Sequence, residues 1–334
     1  MKIGFFEIEG WEEAVIRQNF PNDEIFISAE KLTALTLPET KDFDVISVFI
    51  DSRIDKEILK YFPNLKLVTT RSTGYDHVDI AACKERGIVP VFVPGYGDNT
   101  VAEFTFGLIL NLTRKIYQSI DQIKERELFS LDGLRGIDLK GKTIGIVGTG
   151  RIGKEIVKVA KGFDMNVVAY DPFPDAAFAQ QMNFEYLTLE DLLKNSDIIS
   201  LHCPLNEKTR HMINMENIQF IKKGAYFVNT ARGGIIDTNA LIEALEKGIL
   251  AGAALDVLEE EGEIKDELVF LSKANPTAEQ LRVILENHLL MKMPNVLITP
   301  HNAFNSQEAL QRILDTTILN IKGFIENKPV NIAS

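Results

Sequence analysis

At 334 residues the chain is long enough for two domains, and its 45% hydrophobic and 25% charged residues are the balance of an ordinary globular protein. A formal net charge of −12 argues against nucleic acid or an anionic membrane as a main partner, so an anionic substrate must be captured by local cations. No apolar run approaches the ~20 residues needed to span a bilayer, and Met1-Lys-Ile-Gly-Phe-Phe lacks a signal peptide's apolar core. Cys83 and Cys203 lie far apart and outside any metal-ligand cluster, which predicts a reducing, cytoplasmic setting and no metal.

The first hundred residues carry strand-like runs at Lys2 to Glu7, Glu24 to Ser28, Asp44 to Phe49, Leu67 to Thr70 and Val89 to Val93. Helical stretches such as Asp55 to Tyr61 and Asp79 to Arg86 alternate with them, so a small α/β domain of flavodoxin-like type is expected here. At Asp98-Asn-Thr100-Val-Ala-Glu103, Thr100 and Glu103 have capping-box spacing. A long helix should follow through Phe106, Ile109, Leu110 and Leu112, with apolar surface to spare for a subunit contact.

Next comes Thr143-Ile-Gly-Ile-Val-Gly148-Thr-Gly150-Arg-Ile-Gly153. A short β-branched strand runs into glycines spaced for a tight turn (Gly148), room for phosphates (Gly150) and close helix–strand packing (Gly153). The following helix shows one apolar face at Ile152, Ile156, Val159, Ala160 and Phe163, and its N-terminus would aim N–H groups and a partial positive charge at a pyrophosphate. Asp171 then ends the next strand, Val167 to Asp171, where a carboxylate takes ribose hydroxyls and repels a 2′-phosphate. The cofactor expected is NAD rather than NADP.

Further strands are expected at Asp197 to His202, Ala225 to Thr230, Ala251 to Asp256 and Val296 to Thr299, with crossover helices at Leu189 to Lys194 and Asn239 to Lys247. The total of six makes a Rossmann-type doubly wound parallel sheet. Asn275-Pro276-Thr-Ala-Glu279 reads as a helix start, and Leu281, Ile284, Leu285, His288 and Leu289 as its packing stripe. This accessory helix would sit over the active-site loop or at a subunit contact, with His288 a packing residue. A last amphipathic helix, Phe304 to Phe324, presents Leu310, Ile313, Leu314, Thr317, Ile318 and Ile321 and should return to the first domain. The expected organisation is a substrate domain of 1–99 completed by 304–334, a nucleotide domain of 100–303, and a cleft between them.

Ligands of open α/β sheets sit beyond the C-terminal strand ends. Three charged residues fall there: Arg232 in Thr230-Ala-Arg-Gly-Gly, a glutamate after Asp256, and His301 in Thr299-Pro-His-Asn-Ala-Phe. Interconverting a 2-hydroxy and a 2-oxo acid needs a hydride carrier, a proton acceptor and a cation for the carboxylate. A histidine titrates near neutrality and a neighbouring carboxylate stabilises its imidazolium, while an arginine fork meets carboxylate and carbonyl oxygens and stays charged. Taken singly, each residue could equally be a surface cation, a helix cap or one member of an acidic run. Spacing alone does not separate Glu259, Glu260 and Glu261.

These residues, with Thr70-Arg-Ser-Thr-Gly-Tyr-Asp-His-Val-Asp79, Tyr96 to Glu103, Leu201-His-Cys-Pro-Leu205, Val228-Asn-Thr-Ala-Arg-Gly233 and Ala254-Leu-Asp-Val257, resemble the D-isomer-specific 2-hydroxyacid dehydrogenases almost end to end. The D-lactate branch is the most similar. The resemblance implies His301 as acid/base, Glu261 as its partner and Arg232 as the substrate-orienting cation. It implies substrate contacts at Thr73, Gly74, Tyr96 and Phe304. For NAD it implies Gly148, Gly150, Arg151, Ile152, Gly153 and Asp171, then Thr100, Cys203, Pro204, Thr209, Thr230, Ala231, Arg232 and Asp256 along the remainder. A homodimer through the nucleotide domain is implied as well.

Two departures stand out: Gly262 follows the glutamate where many members have proline, and Gly95-Tyr-Gly-Asp-Asn99 lacks the lactate-type Ser-Pro. Hydroxyisocaproate-type, glyoxylate and hydroxypyruvate reductases are the alternative substrates, and an NAD-sensing corepressor-like scaffold is the alternative class. A 3-phosphoglycerate dehydrogenase is disfavoured by the absence of a basic patch in the first domain and of a regulatory domain, and a formate dehydrogenase by glutamate where that branch carries glutamine.

Overall fold

The computed structural model describes residues 1–261 and 277–333. They form two units, Met1–Tyr96 with Ser306–Ser334, and Gly97–Asn305.

The first unit contains β1 (Lys2–Phe5), α1 (Gly10–Asn19), β2 (Glu24–Ile27), β3 (Val45–Val48), α2 (Lys56–Leu59), β4 (Leu67–Thr70), α3 (Ile80–Glu85) and β5 (Val89–Val91). The sheet runs β2-β1-β3-β4-β5 with every pair parallel, which is the flavodoxin-like order. Strands covered on both faces are drawn mainly from apolar and β-branched residues, and β3 and β4 are buried at every position. Asp55 and Asp79 cap α2 and α3 by accepting first-turn N–H groups. A terminal helix, Gln307–Ile325, here called α11 and capped by Ser306, places Leu314, Ile318 and Ile321 in one cluster with Ile3, Phe5, Val45 and Leu67. Beyond it Ile332 pairs antiparallel with Val91, adding a short outer edge to β5, which can carry Pro90 because an edge strand spares a ladder donor.

The second unit holds α4 (Asp98–Arg114), α5 (Ile116–Lys124), β6 (Thr143–Val147), α6 (Arg151–Gly162), β7 (Asn166–Tyr170), α7 (Ala176–Met182), β8 (Glu185–Tyr186), α8 (Leu189–Asn195), β9 (Ile198–Leu201), β10 (Ala225–Asn229), α9 (Thr238–Glu246), β11 (Leu250–Leu255), α10 (Ala278–Lys292) and β12 (Val296–Ile298). Its parallel sheet runs β12-β11-β10-β9-β6-β7-β8. The order reverses between β6 and β9, so the crevice beyond their C-terminal ends is where a dinucleotide binds in this topology.

Three expectations are corrected. The sheet has seven strands, because β8 pairs outside β7 with only two residues, too few for an alternating pattern to show. Thr100 does not cap α4: the helix starts at Asp98 after Gly97, which puts Thr100 buried inside the first turn. The apolar face of α4 is spent within the unit, where Ala102, Phe106, Ile109 and Leu112 pack with Ile144, Ile156 and Val157 and Phe106 stacks on Phe163 at 5.3 Å.

The α10 helix opens with a capping box between Thr277 and Gln280, while Asn275 and Pro276 lie outside the described residues. Its buried face is Val283, Ile284, Asn287 and Leu290. Of the stripe expected to pack, Leu281, Leu285 and Leu289 are exposed and His288 is half-buried.

Candidate active site

At the end of β6 the chain reverses through Gly148 at φ +93°, where a Cβ would stand 2.8 Å from the His202 carbonyl carbon and oxygen. A Cβ on Gly153 would overlap the carbonyl oxygen of Gly148, so the first turn of α6 rests directly on the strand end. Gly150, the residue before α6, faces open space and has no side chain with which to cap the helix. The first turn of this 12-residue helix thus has no side-chain cap on its N–H groups, which fits the pyrophosphate of a dinucleotide. Arg151 flanks it, its Nε donating to Asp98 at 2.8 Å while the side chain stays largely exposed. Ile152 is half-buried against the core beneath.

Asp171 follows β7 and is fixed from two sides. Its Oδ2 accepts from the Thr149 N–H at 2.7 Å and the Thr149 hydroxyl at 3.0 Å, and its Oδ1 accepts from the Phe173 N–H at 2.9 Å. The Thr149 hydroxyl also meets the Tyr186 hydroxyl at 2.8 Å. Neither partner is legible in the sequence: Thr149 stands between two glycines of the turn, and Tyr186 lies on a two-residue strand too short to show a period.

Beyond β9, Cys203 is half-buried and its thiol is pushed up to about 11, by burial first and then by the Asp171 carboxylate. The Pro204 carbonyl accepts from the Thr209 hydroxyl at 2.6 Å, closing a local turn. Beyond β10, Thr230 is buried with its hydroxyl 2.9 Å from that of Thr105 on α4. The Ala231 N–H donates to the Asn229 side chain at 3.0 Å, whose amide in turn donates to the Arg232 carbonyl at 2.9 Å. This turn presents Arg232 in extended backbone, its Nη1 donating to the Ala231 carbonyl at 2.7 Å. The backbone of Gly233 then lies against Leu258 and Glu259 so closely that no Cβ fits between them.

Asp256 follows β11 and is almost completely buried, and burial pushes its carboxyl above the ordinary range in spite of its hydrogen bonds. Oδ1 accepts from the Thr299 hydroxyl at 2.5 Å and the Asn302 N–H at 2.8 Å, and Oδ2 from the Ala303 N–H at 2.8 Å. The Asp256 carbonyl takes the His301 N–H at 2.8 Å. The turn after β12 is thus built around this carboxylate, and it holds His301 at φ +53°. His301 Nδ1 lies 2.7 Å from Glu261 Oε1, and the Phe304 ring stands edge-on to the imidazole at 6.3 Å.

Of the three candidate glutamates, Glu259 is sealed by protein donors and Glu261 is the one that meets the histidine. The residue after it, Gly262, lies outside the described residues. Thr73, Gly74 and Tyr96 belong to the first unit. There the Thr73 hydroxyl donates to the Val93 carbonyl at 2.8 Å, the Gly74 carbonyl accepts from Ser72 at 2.6 Å, and the Tyr96 carbonyl accepts from Arg312 at 2.7 Å.

A doubly wound sheet with a glycine cradle at its switch point, and a carboxylate-paired histidine in the same unit, defines a dinucleotide-binding oxidoreductase class. The sequence model of the D-isomer specific 2-hydroxyacid dehydrogenase NAD-binding domain matches residues 106–303. A 2-hydroxyacid dehydrogenase homolog of Zymomonas mobilis is 38% identical over 327 residues, covering 96% of each chain. A glyoxylate reductase of Thermofilum pendens is 38% identical over 85% of this chain and 79% of its own. The D-lactate dehydrogenase of Aquifex aeolicus, solved with NAD and lactic acid, superposes with a TM-score of 0.85 at 33% identity over 98% of this chain and 96% of that one. The chain belongs to the D-isomer-specific 2-hydroxyacid dehydrogenases, and its cofactor is NAD.

Proposed function

We propose that this protein reduces a 2-oxo acid to the D-2-hydroxy acid, with pyruvate and D-lactate as the leading pair. The observation that carries the reading is the His301–Glu261 pair at 2.7 Å, held in the same unit as the glycine cradle. A carboxylate only accepts, so Glu261 fixes a proton on Nδ1 and leaves Nε2 as the nitrogen that exchanges a proton with the substrate oxygen. In the reducing direction His301 enters as the imidazolium and gives up the Nε2 proton as the carbonyl becomes a hydroxyl. Arg232 grips the substrate carboxylate and polarises the carbonyl, and backbone N–H groups around Thr73 and Gly74 take the remaining carboxylate oxygen. Tyr96 and Phe304 border the substrate's side chain.

Bound NADH supplies the hydride. Gly148, Gly150, Arg151, Ile152 and Gly153 hold its pyrophosphate and Asp171 its ribose. Cys203, Pro204, Thr209, Thr230, Ala231, Thr100 and Asp256 frame the remainder. The Asp256 carboxylate does so through the turn it builds, since three donors from that turn already occupy it.

The deciding experiment follows NADH absorbance with pyruvate, longer 2-oxo acids, glyoxylate and hydroxypyruvate, then asks which lactate enantiomer reverses the reaction. Pyruvate is expected to react fastest, with D-lactate alone in reverse. Faster turnover of glyoxylate or hydroxypyruvate would reassign the substrate. NADH binding without oxidation by any acid would favour the cofactor-sensing scaffold. In the same assays Asp171→Ser should raise the NADPH to NADH ratio of kcat/KM about tenfold or more, by removing the charge that repels a 2′-phosphate. An unmoved ratio would end the ribose role.

We also read the protein as a homodimer. The exposed apolar residues Ile116, Tyr117, Ile120 and Ile123 of α5, with Leu128, Phe129 and Leu131 beyond it, offer the surface that α4 does not. Cytoplasmic residence fits the two unpaired cysteines. Among the described residues no helix is long and apolar enough to cross a membrane, and no side-chain cluster could hold a metal.

A further inference from the structure

Two residues before Glu261, a second carboxylate is sunk into the nucleotide unit. Glu259 is 6% exposed. Its Oε1 accepts from His211 Nε2 at 2.6 Å and Arg210 Nη2 at 3.3 Å, and its Oε2 from the Thr238 hydroxyl at 3.0 Å. Its own carbonyl accepts from the amide of the fully buried Asn287 at 2.8 Å. These donors come from the loop beyond β9, the first residue of α9, and α10. Burying a carboxylate is costly and its pairing often no better than neutral for stability, so stability by itself gives little reason to place one here.

Position gives a better reason. The Leu258–Glu259 backbone is the surface on which Gly233 rests, one residue after Arg232, and the His211 N–H donates to the Gly234 carbonyl at 2.9 Å. Glu259 therefore ties the loop bearing Arg232 to the loop bearing Glu261. The intervening Glu260 is at φ +55° and His211 at φ +47°, a left-handed conformation that is unfavourable for a residue with a Cβ and persists only where surroundings hold it. The fastening of Glu259 on one side, and the Leu258 N–H donated to Glu261 Oε2 at 3.3 Å on the other, fix the direction in which the Glu261 carboxylate points.

We propose that Glu259 is a positioning residue: clamped by His211, Arg210 and Thr238, it aims Glu261 at His301 without itself meeting substrate or cofactor. The inference rests on the reading of His301 and Glu261 as the acid/base pair, and the test separates the two. Glu259→Gln and His211→Gln are made alone and combined with Glu261→Gln. Each is assayed for kcat, KM and the pH profile of 2-oxo acid reduction, for NADH affinity by fluorescence, and for Tm.

Glu259→Gln should lower kcat about 10- to 100-fold through misplacement of Glu261. It should also displace the alkaline edge of the reduction profile in the same direction as Glu261→Gln does, because either change leaves the His301 ring without the carboxylate that now sits 2.7 Å from Nδ1. In the Glu261→Gln background the same change should add less than twofold, while NADH affinity stays within twofold throughout. His211→Gln, which keeps the carboxylate but removes its shortest contact, should move the same quantities less far. An unshifted edge, or losses that multiply fully with those of Glu261→Gln, would leave Glu259 a structural residue only. Should Glu259→Gln fail to fold, His211→Gln decides by the same two criteria. If Glu261→Gln itself leaves turnover and profile unchanged, the acid/base reading falls and takes the positioning role with it.

Discussion

Replacing His301 by Ala is expected to lower kcat for 2-oxo acid reduction about 10²- to 10⁴-fold, the range supplied by a positioned general acid. That is about 3–5 kcal/mol of transition-state stabilisation at 1.36 kcal/mol per factor of ten. The side chain is half-buried, and its ring is held by Glu261 rather than by the cradle at α6. NADH affinity, measured by fluorescence titration, should therefore stay close to that of the parent protein. The main chain at this site is not neutral, because His301 sits at φ +53° in a turn organised by Asp256. Ala tolerates that conformation less well than Asn, so His301→Asn is the companion variant. Both should lose turnover alike if the imidazole carries the proton. Near-parental turnover in either, with thermal stability intact, would remove His301 from the chemistry.

Gly233→Ala should be the most damaging single methyl group in the nucleotide unit. The added Cβ would overlap the Leu258 carbonyl group and the Glu259 nitrogen, which are main-chain atoms with no rotamer to escape into. Either the turn carrying Arg232 or the segment leading to Glu261 must retreat. Overpacking of this kind costs about 1–3 kcal/mol and occasionally more, and each kcal/mol lowers Tm by about 2–4 °C for a unit of this size. Activity should fall by more than stability does, with KM for the 2-oxo acid rising and kcat dropping together, since the displaced pieces bear the cation on one side and the histidine's partner on the other. A variant with parental Tm and kinetics would show that the close approach is not needed. Gly233→Ser should behave at least as badly, because its hydroxyl adds volume at the same place.

Much of this arrangement is legible in the chain. Parallel strands covered on both faces are drawn mainly from apolar and β-branched residues, so β3, β4, β6, β9 and β10 announce themselves in the sequence. The glycine spacing is legible for the same reason, as backbone-on-backbone contact excludes every other residue at Gly153. What stayed hidden has physical causes too. The two residues of β8 are too few to carry a period. On α10 two stripes interleave, and composition favours the wrong one: Leu281, Leu285 and Leu289 face outward while Asn287 is fully buried, because its amide is needed at the Glu259 carbonyl. The glutamate ambiguity is of the same kind. Three neighbouring carboxylates are chemically alike until the fold gives one of them His211, Arg210 and Thr238, and another His301.

The α11 helix places Leu314, Ile318 and Ile321 in the same cluster as Ile3 and Phe5, so one core is assembled from the first and last stretches of the chain. On a ribosome adding about 5–20 residues per second, the N-terminal sheet waits on the order of tens of seconds for that helix. The residues of the nucleotide unit form one uninterrupted segment, available in full before α11 emerges. Translation thus imposes an order of assembly, with the cofactor-binding half able to close first and the earlier-made half left with an uncovered apolar face until the end. Premature termination anywhere before Leu314 would release a chain with that face open. Such fragments are natural clients for chaperones and proteases, even where the nucleotide unit has already folded.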